Sequence, residues 1–136
     1  ESCTGGLIGH RLTEVSGSSE VYKGGFVVYS NESKINLLDV DKSILKKYGA
    51  VSAETAQAMA KNVTKIFASD YGISVTGIAG PAGGTDQKPV GLVYIGFAKK
   101  DDVKVKKFHF GTDRKKNKLR TSQAALNWLR LSLLND

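Results

Sequence analysis

Cysteine is almost missing from this chain. Cys3 is the single one in 136 residues, so no internal disulfide framework can form and no thiolate-built zinc site can be assembled. Histidine is nearly as scarce, and His10 and His109 show no metal-ligand spacing with other donors, so no metal is expected. No cofactor is expected either. Aromatic residues make up 8% of the chain and include one tryptophan, with no base-stacking motif, which argues against a nucleic-acid binder. No apolar run approaches the roughly 20 residues that a membrane-spanning helix needs, and no signal-peptide pattern opens the sequence. A cytoplasmic location with no membrane partner is expected.

What is present is an ordinary globular composition, 40% hydrophobic, at a length that fits one domain with its own core. Twenty Lys and Arg against 13 Asp and Glu give a net charge of +7, which suits an anionic partner such as a phosphorylated small molecule. Much of the excess falls between Lys99 and Arg120, where solvated strand and helix faces account for most of it.

Periodicity predicts a simple order of elements. A helix is expected over residues 4–15, then a strand over 21–29 broken by Gly24-Gly25, and short helices over 32–38 and 41–48 stopped by Gly49. Residues 52–69 carry the clearest helix, capped by Ser52, with Ala56, Met59, Ala60, Val63, Ile66 and Phe67 as its apolar stripe. A buried strand over 71–76 runs into a glycine-rich loop over 77–84. Strands over 90–98 and 102–110 form a hairpin, and a helix over 113–134, capped by Asp113, packs through Leu119, Ala124, Leu126, Leu129 and Leu133. One α/β domain with a mixed sheet between helices follows. A glycine-containing turn opening a helix ordinarily follows a strand, yet the chain starts at Glu1. A first central strand is therefore expected to be supplied from elsewhere.

The segment Tyr29-Ser30-Asn31-Glu32-Ser33-Lys34 is the most informative. Asn31 reads as an N-cap, which puts Lys34 in the first turn of a helix. The positive end of the helix disfavours the ammonium form by about 0.3–1 kcal/mol and lowers the lysine pKa. A lysine so treated can act as a general base.

Ser2-Cys3-Thr4-Gly5-Gly6 presents hydroxyls and free amides at a helix start, which suits an anion or a developing oxyanion. The same residues also fit a capped helix whose glycines permit close packing, and the segment alone does not choose. The loop 77–84, flanked by Thr76 and Thr85, matches neither the dinucleotide fingerprint nor the P-loop. It reads as a ligand-covering loop or a plain mobile one. Arg114, Lys115 and Lys116 crowd a helix start, where an anionic ligand or screening by salt would relieve them. Ser43-Ile44-Leu45-Lys46 imitates the S-x-x-K of penicillin-recognising enzymes without their other motifs, and no nucleophile elbow supports a Ser-His-Asp triad. Lysine remains as the candidate base.

Taken together, ESCTGG at 1–6, GSS at 17–19, GGFVVYSNESK at 24–34, GAVS at 49–52, VTGIAGPAGGT at 75–85 and KPVGLVYIGFA at 88–98 resemble the carboxy-terminal domain of the CinA family, the nicotinamide-nucleotide amidases. The resemblance runs in order through nearly the whole chain. It implies a three-layer α/β/α sandwich with a mixed, mostly parallel five-stranded sheet, the chain at 1–136 being one amidase domain truncated at its amino terminus. It also implies conversion of nicotinamide mononucleotide and water to nicotinate mononucleotide and ammonia, by a serine and a lysine without a metal, and a habit of self-association that makes a homo-oligomer expected. The catalytic positions it marks are Ser2, Ser19, Tyr29 and Lys34, with Thr4, Gly5, Gly6, Thr76, Gly77, Gly80 and Arg114 toward the phosphorylated substrate. Ser2 is expected at the same mouth of the sheet as Lys34. Ser19 would reach Lys34 only through a folded-back loop or a neighbouring subunit, and Tyr29 would orient the lysine. The competing expectation is a non-catalytic or regulatory nucleotide-binding module, since the family often fuses this domain to a molybdopterin-binding-like one.

Overall fold

Helix boundaries follow side-chain caps. In the computed structural model, which describes residues 1–135, helix α1 spans Leu7–Thr13 and is followed by a 3-10 turn, Ser18–Glu20. The α1 start is later than expected because Gly5 and Gly6 take φ of +60° and +100°, outside the helical region. Helix α2, Asn31–Leu38, is capped by Ser30, whose Oγ accepts from the Ser33 amide. The cap is thus one residue earlier than the expected Asn31. Asp41 caps α3, Lys42–Tyr48, and Ser52 caps α4, Ala53–Phe67. Asp113 caps α5, Arg114–Leu134.

The sheet has three strands, β1 Tyr71–Gly77, β2 Leu92–Lys99 and β3 Asp102–His109, in the order β1-β2-β3 with both pairings antiparallel. The hairpin from β2 to β3 is as expected; the five-stranded, mostly parallel sheet is not what the described residues form. Residues 22–29 run without helix or strand assignment. Their ladder partners are confined to Glu1: the Glu1 amine donates to Phe26 O and the Val28 amide donates to Glu1 O. Two bonds do not make the strand expected over 21–29.

Alternation divides the sheet into two unlike faces. Ile73 and Val75 pair with Phe97 and Ile95, and this bulky face meets Cys3, Ile8 and Ala125 in one core cluster, under α1 and α5. The opposite face is built from Gly72, Ser74, Gly96 and Ala98, and α4 lies close upon it. The Ser74 hydroxyl donates to Ala56 O, and a β-carbon at Gly72 would stand 2.8 Å from Ala60 O. A second cluster of Val28, Leu38, Val40, Leu45 and Met59 closes that side.

Close approach explains where the expected stripes shift. Helix α4 buries Thr55, Ala56, Ala60 and Thr64 near the strands and Met59 in the second cluster, whereas Ile66 is 48% exposed. Helix α5 buries Asn117, Thr121, Ser122 and Ala125, while Leu119 and Leu133 face outward. Its first half is polar because it holds backbone: Asn117 Nδ2 donates to Ala79 O and Gly111 O, and its Oδ1 accepts from the Gly111 amide. Strand β3 exposes Asp102, Lys104, Lys106 and Lys107 and pairs on one side only.

The spacing of α4 is set at Gly96, where a β-carbon would lie 2.5 Å from both Ala56 O and Ser74 Oγ. Gly96→Ala is expected to lower unfolding free energy by about 1–3 kcal/mol, read from the urea midpoint. An unchanged midpoint would show that the helix rides freely over this strand.

Candidate active site

Two short backbone attachments bring a serine and a lysine together. Ser2 is docked beside β1, its amide donating to Val75 O at 3.1 Å, and its carbonyl accepts the Gly5 amide to close a turn. Lys34 lies at the fourth position of α2, where the Ser30 cap fixes the direction of the first turn. From there its Nζ donates to Val28 O at 2.8 Å and to Tyr29 O at 3.4 Å, and stands 3.2 Å from Ser2 Oγ. Both residues are buried, Lys34 at 1% and Ser2 at 8% exposure.

The surroundings favour an uncharged amine. Burial lowers the Lys34 pKa, opposed in part by Cys3, whose own thiol is pushed up to about 11 by burial and so carries no charge near neutrality. Among the described residues no carboxylate pairs with Lys34. The direction agrees with the sequence reading, and desolvation is the leading cause. The helix start is in any case served by Glu32 in its first turn. A neutral amine has two N–H groups for two carbonyls and one lone pair for a hydroxyl proton, which matches these three neighbours.

The helix-start amides have an internal owner. Glu1 Oε2 accepts from the Gly6 and Ile8 amides and from the Thr4 hydroxyl, and Oε1 accepts from the Gly9 amide. This carboxylate satisfies the orphan donors of α1 and locks the turn carrying Ser2. Sequence reading missed Glu1; its signal was an acid immediately before a glycine-rich helix start. Thr4 and Gly6, expected to touch substrate, are committed to Glu1. Among the described residues, the Cys3 and Thr4 amides donate to no carbonyl.

The remaining expected residues fall in three places. Ser19 is exposed in the 3-10 turn and has no hydrogen bond to Lys34, whose hydroxyl partner is Ser2. Tyr29 approaches the lysine through its carbonyl, not its ring; the side chain is 62% exposed, and its phenol oxygen accepts from Arg114 Nη2. Arg114 Nη1 donates to Gly80 O, so the arginine straps the glycine-rich loop to Tyr29. Thr76 is buried and donates to Ala50 O, and Gly77 is packed against Leu92 O and Val93. Two surface cavities, about 350 Å³ beside Trp128 and about 230 Å³ between α1 and Phe26, are lined by neither Ser2 nor Lys34. Among the described residues no His, Cys, Asp and Glu cluster could hold a metal ion, and no helix is long and apolar enough to cross a membrane.

The profile of the CinA C-terminal domain matches residues 1–133 of the chain. The chain belongs to the CinA C-terminal domain family. This CinA domain is 52% identical over 134 residues to a CinA-like protein of Geotalea daltonii, covering 98% of the chain and 32% of that relative. It spans about a third of the length of the curated relatives it matches. Among solved structures, it superposes on the competence/damage inducible protein CihA of Agrobacterium tumefaciens with a TM-score of 0.93 at 41% identity, covering 99% of this chain and 82% of that one. The competence damage-inducible protein A (ComA) of Klebsiella pneumoniae gives 0.94 at 31% identity, with 98% and 83% covered.

The lowered Lys34 pKa has a stability consequence. A folded-state value below the ordinary 10.5 means that the unfolded chain binds the extra proton between the two values, so stability rises with pH across that alkaline window and is lost as pH falls through the folded value. Unfolding midpoints of the wild type are expected to climb more steeply through this window than those of Lys34→Met, which keeps the shifted Glu1 amine, Cys3 and Tyr22. Parallel profiles would place the charge on the folded-state amine.

Proposed function

We propose that this CinA domain is an amidohydrolase that deamidates nicotinamide mononucleotide to nicotinate mononucleotide and ammonia, with Ser2 as nucleophile and Lys34 as base. The observation that carries the reading is the 3.2 Å contact between Ser2 Oγ and a lysine amine buried without a carboxylate. Family membership and the anion-favouring charge support it. A metal-free Ser/Lys pathway, a phosphorylated pyridine nucleotide as substrate, self-association and a cytoplasmic setting belong to the same proposal, as does the five-stranded mixed sheet of the complete fold.

Lys34 Nζ accepts the Ser2 hydroxyl proton as Oγ attacks the carboxamide carbon. The carbonyl oxygen becomes an oxyanion, for which the Thr4 amide, next in the turn to Ser2 and donating to no carbonyl, is the candidate backbone donor. Collapse breaks the C–N bond, and Lys34 passes its proton to the leaving nitrogen, which departs as ammonia and leaves an ester on Ser2. Water then loses a proton to Lys34 and attacks the ester carbonyl. The proton returns to Ser2 Oγ as the acid is released. Tyr29 contributes by its carbonyl, which takes one amine N–H and helps direct the lone pair toward Ser2.

A binding or regulatory module of a longer protein is the competing reading, favoured by the third of its relatives' length that the chain covers. Ammonia release from the mononucleotide separates the two. Ser2→Ala and Lys34→Ala are each expected to lower kcat by about three orders of magnitude or more, while Ser19→Ala stays near wild type. Activity surviving in Ser2→Ala would remove it as nucleophile, and activity surviving in Lys34→Ala would remove the dyad.

A further inference from the structure

Helix α5 presents two cations to the Ser2 side of the molecule, and they differ in what they already hold. Arg114 and Lys118 are four apart in α5 and so lie one above the other on the same face. Arg114 donates to Gly80 O at 2.8 Å and to the Tyr29 phenol at 2.9 Å. Lys118 is half-buried, and among the described residues its ammonium has neither a hydrogen-bond acceptor nor a carboxylate. It stands directly over the nucleophile turn: a β-carbon placed on Gly5 would be 3.6 Å from Lys118 Nζ. Gly5 is the residue whose amide closes the turn on Ser2 O.

No local acid cancels this charge. The Glu1 carboxylate is turned into the amides of α1, and the Asp113 carboxylate caps the Lys116 amide. A half-buried ammonium with unused donors is a site for an anionic oxygen, because such charge-assisted bonds are about twice as strong as neutral ones.

We propose that Lys118 is the specificity-determining cation that takes the phosphate monoester of the substrate, with Arg114 acting as a strap for the glycine-rich loop and Tyr29. Only the identity of the substrate rests on the amidase reading; the anion site rests on Lys118 and Gly5 alone. Glycine at position 5 suits the φ of +60° by which the turn passes beneath the ammonium. The phosphate sits over the turn, and the amide to be cleaved reaches toward Ser2.

The test pairs Lys118→Met and Lys118→Arg with the wild type. Inorganic phosphate, titrated by calorimetry or amide chemical shifts, is expected to bind the wild type and Lys118→Arg, and to bind Lys118→Met about tenfold or more weakly. In ammonia-release assays, Lys118→Met is expected to raise KM for the mononucleotide by a similar factor with kcat within about twofold, and to leave the dephosphorylated nucleoside unaffected. Unchanged phosphate binding in Lys118→Met overturns the assignment. So does an equal rise of KM for nucleoside and mononucleotide. If the wild type releases no ammonia from either compound, the amidase reading falls, and the phosphate titration still decides the role of Lys118.

Discussion

A buried amine that has three neighbours and no counter-ion governs this site. Lys34 is placed by the α2 cap on one side and by the carbonyls of Val28 and Tyr29 on the other. Removing an ammonium from water is costly, so burial biases this amine toward its uncharged form. The nearest oxygen that can supply or take that proton is Ser2 Oγ. Ser2 in turn depends on the turn that follows it, and that turn depends on Glu1. The apparent anion site at the start of α1 is therefore occupied by the chain's own Glu1 carboxylate, which fixes the turn that carries Ser2 beside Lys34.

The fold was legible where the pattern was long or punctuated. The helices at 53–67 and 114–134 and the hairpin of β2 and β3 came through because caps at Ser52 and Asp113 and period-2 alternation are local signals. The faces of the helices were less legible. Apolarity pointed to Ile66, Leu119 and Leu133, all of which face outward. Ala56, Met59 and Ala60 are buried as expected, but much of the buried surface is small or polar, because α4 lies on a glycine- and serine-lined strand surface and α5 starts on the carbonyls of Ala79 and Gly111. Such demands come from partners distant in the chain, and no local period carries them. Residues 22–29 failed as a strand for a related reason: β-branched composition states a preference, but a ladder needs a neighbour of matching length.

The site was legible in its residue types more than in their partners. Lys34 was the candidate base and Ser2 and Ser19 were both left open beside it; the structure brings Ser2 to Lys34 and leaves Ser19 apart. Burial is the leading cause of the lowered Lys34 pKa. Tyr29 and Arg114 were read as contacts to lysine and substrate, yet their side chains bind each other. Thr4 and Thr76 were read toward the substrate and are buried donors to Glu1 and Ala50. In each case the residue type was informative, and the partner was set by tertiary packing.

Strand β3 closes the sheet with an unpaired side, and its outward positions are filled by Lys104, Lys106 and Lys107. Lysines along an open rim repel a second identical rim and block its use as a template for further strands. Whatever assembly this domain enters, edge-to-edge growth of the sheet is guarded against by charge, which leaves helical and loop surfaces as the ground on which copies can meet.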